Sequence, residues 1–166
     1  IVPPTPTAFY MPPEPLPSTE PGSLLRSEEI TENLPNGAKA WRVLYTSTDR
    51  NGNPAPVSGV IIAPAGAADA PRPVVAWAHG TIGIVPNCSP SLARDPFALI
   101  PELDRLIQEG YVVAATDYFG LGTPGVHSYL VGPEEATTVL DSVRVARALE
   151  TGAGDDYVIW GESQGG

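Results

Sequence analysis

Three features of the sequence predict an α/β fold built on a mostly parallel sheet flanked by helices. From residue 73 onward, strand-like apolar runs alternate with helical stretches, the pattern of a parallel sheet with helical crossovers. The runs Pro73–Ala78 and Tyr111–Ala115 are almost unbroken in apolar residues, which suits strands covered on both faces. A third run, Tyr157–Trp160, leads straight into Gly161-Glu162-Ser163-Gln164-Gly165-Gly166, a glycine-framed serine at a strand end.

The elements follow in order. Residues 1–23 are proline-rich and aperiodic (Pro3-Pro4, Pro12-Pro13, Pro15, Pro17, Pro21), so they predict an extended arm laid over the domain. Phe9, Tyr10, Met11, Leu24 and Leu25 are its candidate anchors, and residues 1–38 are expected to form the arm as a whole. The domain proper is expected over 39–166. Lys39–Thr48 has β-branched and aromatic residues in rough alternation. A turn at Asp49-Arg50-Asn51-Gly52-Asn53 and a second strand, Val57–Ala63, complete an antiparallel hairpin. Asp95-Pro96 reads as a helix start that runs to Gly110, with Leu99, Leu103, Leu106 and Ile107 as its buried stripe. A longer helix begins near Pro133. Glu134 and Glu135 stand in its first turn and Arg144 and Arg147 toward its end at about Glu150, in accord with the helix dipole. Gly152 and Gly154 stop it, and Asp155-Asp156 are expected as a solvated turn before the last strand.

Composition narrows the classes. With 166 residues, 42% hydrophobic, the chain is long enough for a real core. Its net charge of −10 argues against nucleic acid or an anionic membrane as a partner. No apolar run approaches the ~20 residues needed to span a bilayer, so no transmembrane segment is expected. No repeat is visible. The first residue is Ile1, and one explanation is a removed secretion signal. The one cysteine, Cys88, has two readings: a partly buried free thiol, or one half of a disulfide whose partner lies outside residues 1–166. The second is favoured by its setting between Pro86-Asn87 and Ser89-Pro90.

Gly161-x-Ser163-x-Gly165 after a strand is the pattern of the nucleophile elbow of an α/β-hydrolase. A serine on so sharp a turn holds strained backbone angles, and glycines at 161 and 165 remove the clash of a Cβ. The turn raises the Ser163 hydroxyl above the sheet. An oxyanion hole is expected from two backbone N–H groups, those of Gln164 and Thr81, the latter in the His79-Gly80-Thr81 loop after strand 73–78. In hydrolase order the acid and histidine of the triad follow the serine. The two histidines, His79 and His127, both precede it, so His79 and Gly80 are read as oxyanion-loop support and His127 as a surface or pocket-rim residue. Asp117 is read as a structural turn aspartate. The remainder of the hydrolase, with its Asp and His, is expected from a second polypeptide or a further segment. No metal-ligand spacing and no phosphate-cradling glycine loop is present, so no cofactor and no metal are expected.

Taken together, Phe9-Tyr10-x-Pro12-Pro13, Pro21-Gly22-x-Leu24-Leu25-Arg26, Ala78-His79-Gly80-Thr81, Asn87-Cys88-x-Pro90-Ser91, Thr116-Asp117-Tyr118-x-Gly120-Leu121-Gly122 and Gly161-x-Ser163-Gln164-Gly165-Gly166 resemble the secretory lipase family, which includes fungal lipase A enzymes and bacterial relatives. The resemblance spans nearly the whole chain, as the N-terminal part of such an enzyme. It implies a secreted α/β-hydrolase acting on carboxylic esters or lipids through Ser163, a cap over the site, and a disulfide at Cys88. A peptidase or acyltransferase on the same fold is the alternative within enzymes, since the elbow fixes the nucleophile and not the acceptor. A non-catalytic hydrolase-like binding protein is the alternative outside them.

Overall fold

The computed structural model describes residues 4–166, so Ile1 and Pro3 of the arm lie outside the described residues. Its centre is a six-stranded sheet. In chain order the strands are β1 (Leu24–Ile30), β2 (Ala38–Thr48), β3 (Pro54–Pro64), β4 (Arg72–Ala78), β5 (Val112–Thr116) and β6 (Ala153–Gly161), with helices α1 (Leu103–Gln108) and α2 (Gly132–Ala148). The spatial order is β1-β2-β3-β5-β4-β6. The parallel core expected from the apolar runs is formed by β5, β4 and β6. On the other side β1, β2 and β3 are antiparallel, and β3 joins β5 antiparallel.

The alternation of side chains explains the apolar runs. Val74, Ala76 and Ala78 of β4 and Val112 and Ala114 of β5 face Val139, Val143 and Ala146 of α2. Their neighbours Val75, Trp77, Val113 and Ala115 face the other way, onto Phe97, Ile100, Leu103 and Ile107. Both faces of these strands are therefore dry, and each fully buried valine contributes about 1.5–3 kcal/mol over leaving it in water.

Several expectations change in detail. The hairpin is a three-stranded unit, because residues 24–30, expected as arm, pair with β2 from Leu24↔Tyr45 to Ile30↔Ala40. Proline had marked the preceding segment as extended, and nothing in Leu24–Ile30 blocks a ladder. The helix expected over 95–110 is reduced to Leu103–Gln108. Asp95 does cap a turn, accepting from the Phe97 N–H at 3.1 Å. Pro101 then disfavours helical geometry at Ile100, and Glu102 takes a left-handed φ of 55°. Phe97 and Ile100 reach the core from turns, while Leu99, expected in the buried stripe, is exposed. Helix α2 ends at Ala148, where the Thr151 hydroxyl donates to the Ala146 carbonyl at 2.6 Å. Gly154, Asp155 and Asp156 lie inside β6 and do not form a turn.

The arm is pinned at Phe9 and Tyr10, both buried, whereas Met11 is exposed. Arg26 donates to the carbonyls of Ala8 and Phe9 at 2.9 and 2.8 Å. Tyr10 belongs to a buried polar knot around Asp117. One Asp117 oxygen, Oδ2, accepts from the hydroxyls of Ser58 (2.6 Å), Ser89 (2.7 Å) and Ser91, and Oδ1 accepts from the Ser91 N–H at 2.9 Å. The Tyr10 hydroxyl meets Ser91 Oγ at 2.9 Å. Asp117 is thus a structural residue, holding the arm, β3, the 86–92 loop and the end of β5 together.

Candidate active site

Strand β6 runs in register with β4, Trp77 opposite Trp160 and Ala78 opposite Gly161, so the chain leaves both strands at the same edge of the sheet. At that edge it turns sharply. Ser163 has a left-handed φ of 52°, a strained setting for a residue with a side chain. The turn closes through the Gly165 N–H to the Glu162 carbonyl at 2.8 Å and the Gly166 N–H to the Ser163 carbonyl at 3.0 Å. A Cβ on Gly161 would run into the Gly165 carbonyl, and a Cβ on Gly165 into the carbonyl of Ala78 on β4. Both framing positions demand glycine because backbone fills the space.

Ser163 is exposed at the mouth of a hollow of about 270 Å³ lined by Trp77, His79, Gly80, Thr81, Ile82, Leu99, Glu162 and Ser163. Gly80 lies directly against the elbow: the Cβ it lacks would stand 3.5 Å from the Glu162 carbonyl and 3.6 Å from Ser163 Cβ. The loop after β4 and the turn after β6 therefore meet across one cavity. A larger hollow of about 650 Å³, between residues 33–36 and 95–108, contains no serine, cysteine or histidine.

His79 is buried and shapes the loop. Its Nδ1 lies 2.7 Å from the Gly80 carbonyl and its Nε2 3.4 Å from the Asp117 carbonyl, and its ring packs on Tyr118 at 4.3 Å. The Tyr118 hydroxyl donates to the His79 carbonyl at 2.8 Å. Burial holds the His79 imidazole below its ordinary pKa, so it is neutral, and Nδ1 donates to the nearer oxygen.

His127 is not a rim residue. It is 8% exposed, stacked against Tyr118 with ring centroids 6.1 Å apart, and its Nδ1 donates to the Phe119 carbonyl at 2.8 Å. Its Nε2 accepts from Gln164 Nε2 at 3.0 Å. The same Gln164 nitrogen donates to Glu135 Oε1 at 2.6 Å, and that oxygen also accepts from the Leu130 N–H at 3.1 Å. Glu135 is only 7% exposed. The sequence marked it as a first-turn acid suited to a helix dipole; only the fold shows that it points inward beneath the elbow. The hydroxyls of Thr81 and Tyr129 meet at 3.0 Å.

Cys88 is free and packs partly buried against the core, its Sγ in the space that a Cβ on Gly83 would need. As the sole cysteine of the sequence it forms no disulfide here, and the bridge expected for it is not supported; tight packing against glycine accounts for the residue. Among the described residues no group of three or more His, Cys, Asp or Glu stands together as metal ligands, and no helix is long and apolar enough to cross a membrane.

Comparison with known proteins bears on the family and the fold. The family model described as Secretory lipase matches residues 99–166. Lipase 10 of Candida albicans is 29% identical over an alignment that covers 99% of this chain and 38% of that protein. Among solved structures, a ligand-bound form of the rice cell wall degrading esterase LipA from Xanthomonas oryzae superposes with a TM-score of 0.73 at 28% identity, covering 88% of this chain and 43% of that one. Candida antarctica lipase A in its closed state gives a TM-score of 0.78 at 19% identity, over 96% and 39% of the respective chains, a likeness of fold. The chain thus spans about two fifths of the length of the relatives it matches. Motifs, architecture and relatives converge: this chain has the α/β-hydrolase fold and is similar to the secretory lipases.

Proposed function

We propose that the chain carries the nucleophile and oxyanion hole of a secreted serine hydrolase acting on carboxylic esters, including lipids. The observation that carries this is the strained, exposed Ser163 held between two glycines that backbone contact makes obligatory, facing the His79-Gly80-Thr81 loop across a shared cavity. In the reaction the Ser163 oxygen attacks the acyl carbonyl carbon while a histidine takes the hydroxyl proton. The carbonyl oxygen becomes an oxyanion, which the N–H groups of Thr81 and Gln164 stabilise; a single such donor is worth about 3 kcal/mol in the transition state. Collapse expels the alcohol, which leaves with the proton from the histidine, and water then releases the acyl group by the same steps.

Both histidines of residues 1–166 are engaged elsewhere, His79 with the Gly80 carbonyl and the Tyr118 ring and His127 with Phe119 and Gln164. The triad histidine and acid therefore come from polypeptide outside residues 1–166. The half-exposed apolar side chains of β6 support the same view, since they fit a strand with more chain packed on it.

The test is covalent. A fluorophosphonate should label the complete enzyme at one site, and Ser163→Ala should abolish the label. Undiminished labelling of the variant would reject Ser163 as nucleophile.

A further inference from the structure

The two proposed oxyanion donors come from distant parts of the chain, yet their side chains are gripped by one segment. Gln164 is held from below by Glu135 and His127, and each of its two amide hydrogens has an acceptor. Thr81 is held through its hydroxyl by Tyr129. His127, Tyr129 and Glu135 all belong to the stretch that runs from the end of β5 into the first turn of α2. Within it the grips are connected. The His127 and Tyr129 rings lie 6.3 Å apart, and the Leu130 N–H closes onto the same Glu135 oxygen that receives Gln164. Leu130 itself has a left-handed φ of 61°, which turns the chain back toward the helix. Below, Tyr118 stacks on His127 and bonds the His79 carbonyl, so the loop carrying Thr81 is tied in at its root as well.

We propose that residues 127–135 act as a clamp that sets the separation and direction of the Thr81 and Gln164 N–H groups, with Glu135 its principal positioning residue. The clamp rests on the serine-hydrolase function proposed above. An oxyanion hole acts only when both donors aim at where the charge develops, and displacements of well under 1 Å weaken it. Glu135 touches no reacting atom. It fixes the side chain of the residue whose backbone N–H does, and through Leu130 it also fixes the bend that presents Tyr129 to Thr81.

The experiment measures kcat, KM and inhibition by a trifluoromethyl ketone, whose serine adduct places an oxyanion in the hole, for the complete enzyme and the variants Glu135→Ala, Glu135→Gln and Tyr129→Phe. Glu135→Ala should lower kcat about tenfold with KM held within about twofold, and should weaken the ketone by the same factor as kcat. Glu135→Gln keeps an acceptor oxygen toward Gln164 and Leu130 and should recover most of the loss. Tyr129→Phe removes one exposed hydrogen bond and should cost about threefold in kcat. A Glu135→Ala enzyme with unchanged kcat, a loss of kcat without a matching loss of ketone affinity, or no recovery in Glu135→Gln would each overturn the clamp. Should Glu135→Ala not fold, Tyr129→Phe decides alone, and wild-type kcat in that variant overturns the proposal. Absence of fluorophosphonate labelling at Ser163 in the unaltered enzyme is a different result, and rejects the hydrolase function itself.

Discussion

Strands β4 and β6 are neighbours with matching apolar patterns, but they live in different environments. Val74, Val75, Ala76 and Trp77 are 0–3% exposed, whereas their register partners Tyr157, Val158, Ile159 and Trp160 are 39–57% exposed. The residue types alone would not separate the two. What separates them is that β4 has β5 on its far side and elements on both faces, while β6 has β4 on one side only. An apolar run therefore records the environment a strand is built for, and its neighbours decide how much of that environment is present.

The largest effect should come from placing a carboxylate at paired positions of the two strands. Val75→Asp buries an unpaired charge and should cost more than about 4 kcal/mol in any form of the protein, measured by urea unfolding. Val158→Asp should cost little in residues 1–166 expressed alone and should reduce their self-association in light scattering. In the complete enzyme the same change should approach the cost of Val75→Asp. An equal, small cost in both forms would show that nothing packs on β6.

A smaller effect sharpens the contrast at the strand ends. The covered side is locked by the Asp117 carboxylate, and β6 ends instead in the exposed Ser163 turn. Asp117→Ala leaves the hydroxyls of Ser58, Ser89 and Ser91 without their shared acceptor and should cost about 3 kcal/mol. Asp117→Asn keeps one acceptor oxygen and should cost less. Equal losses for the two variants would mean that packing, and not hydrogen bonding, holds the knot.

The smallest effect is a pH dependence at the end of β4. Burial lowers the folded pKa of His79 below its ordinary 6.5, so below that pH the unfolded chain binds a proton that the folded chain refuses. Stability contributed by the neutral imidazole is fully present above pH 6.5 and is lost as pH falls below it. His79→Gln should flatten the segment of the stability curve below pH 6.5, and an unchanged slope would assign it to another group.

How much of this was legible beforehand follows from what each residue must satisfy locally. The buried strands and the elbow could be read because unbroken apolar runs and a glycine-framed serine are local patterns with few structural solutions. The prolines before strand β1 mask it in the sequence, and helix α1 is shorter than Asp95-Pro96 predicts because Pro101 and the left-handed Glu102 break the chain before Leu103. The contacts that hold Thr81 and Gln164, the proposed oxyanion donors, are invisible in the sequence for a different reason. Glu135 in a helix's first turn looks the same in sequence whether it faces water or Gln164, and His127 carries no pattern of its own. Only the fold brings residues 81, 127, 135 and 164 together.

The buried Asp117 knot also sets an order of assembly. Tyr10 precedes its partner Ser91 by 81 positions, and the carboxylate that organises Ser91 is later still. Loop closure over such spans is slow and unrewarded until β3 and β5 are already paired. The Tyr10–Ser91 contact is therefore expected to form after β3 and β5 have paired. The arm should accordingly be the first segment to open from the native state, its amides exchanging with solvent while those of β4 and β5 stay protected.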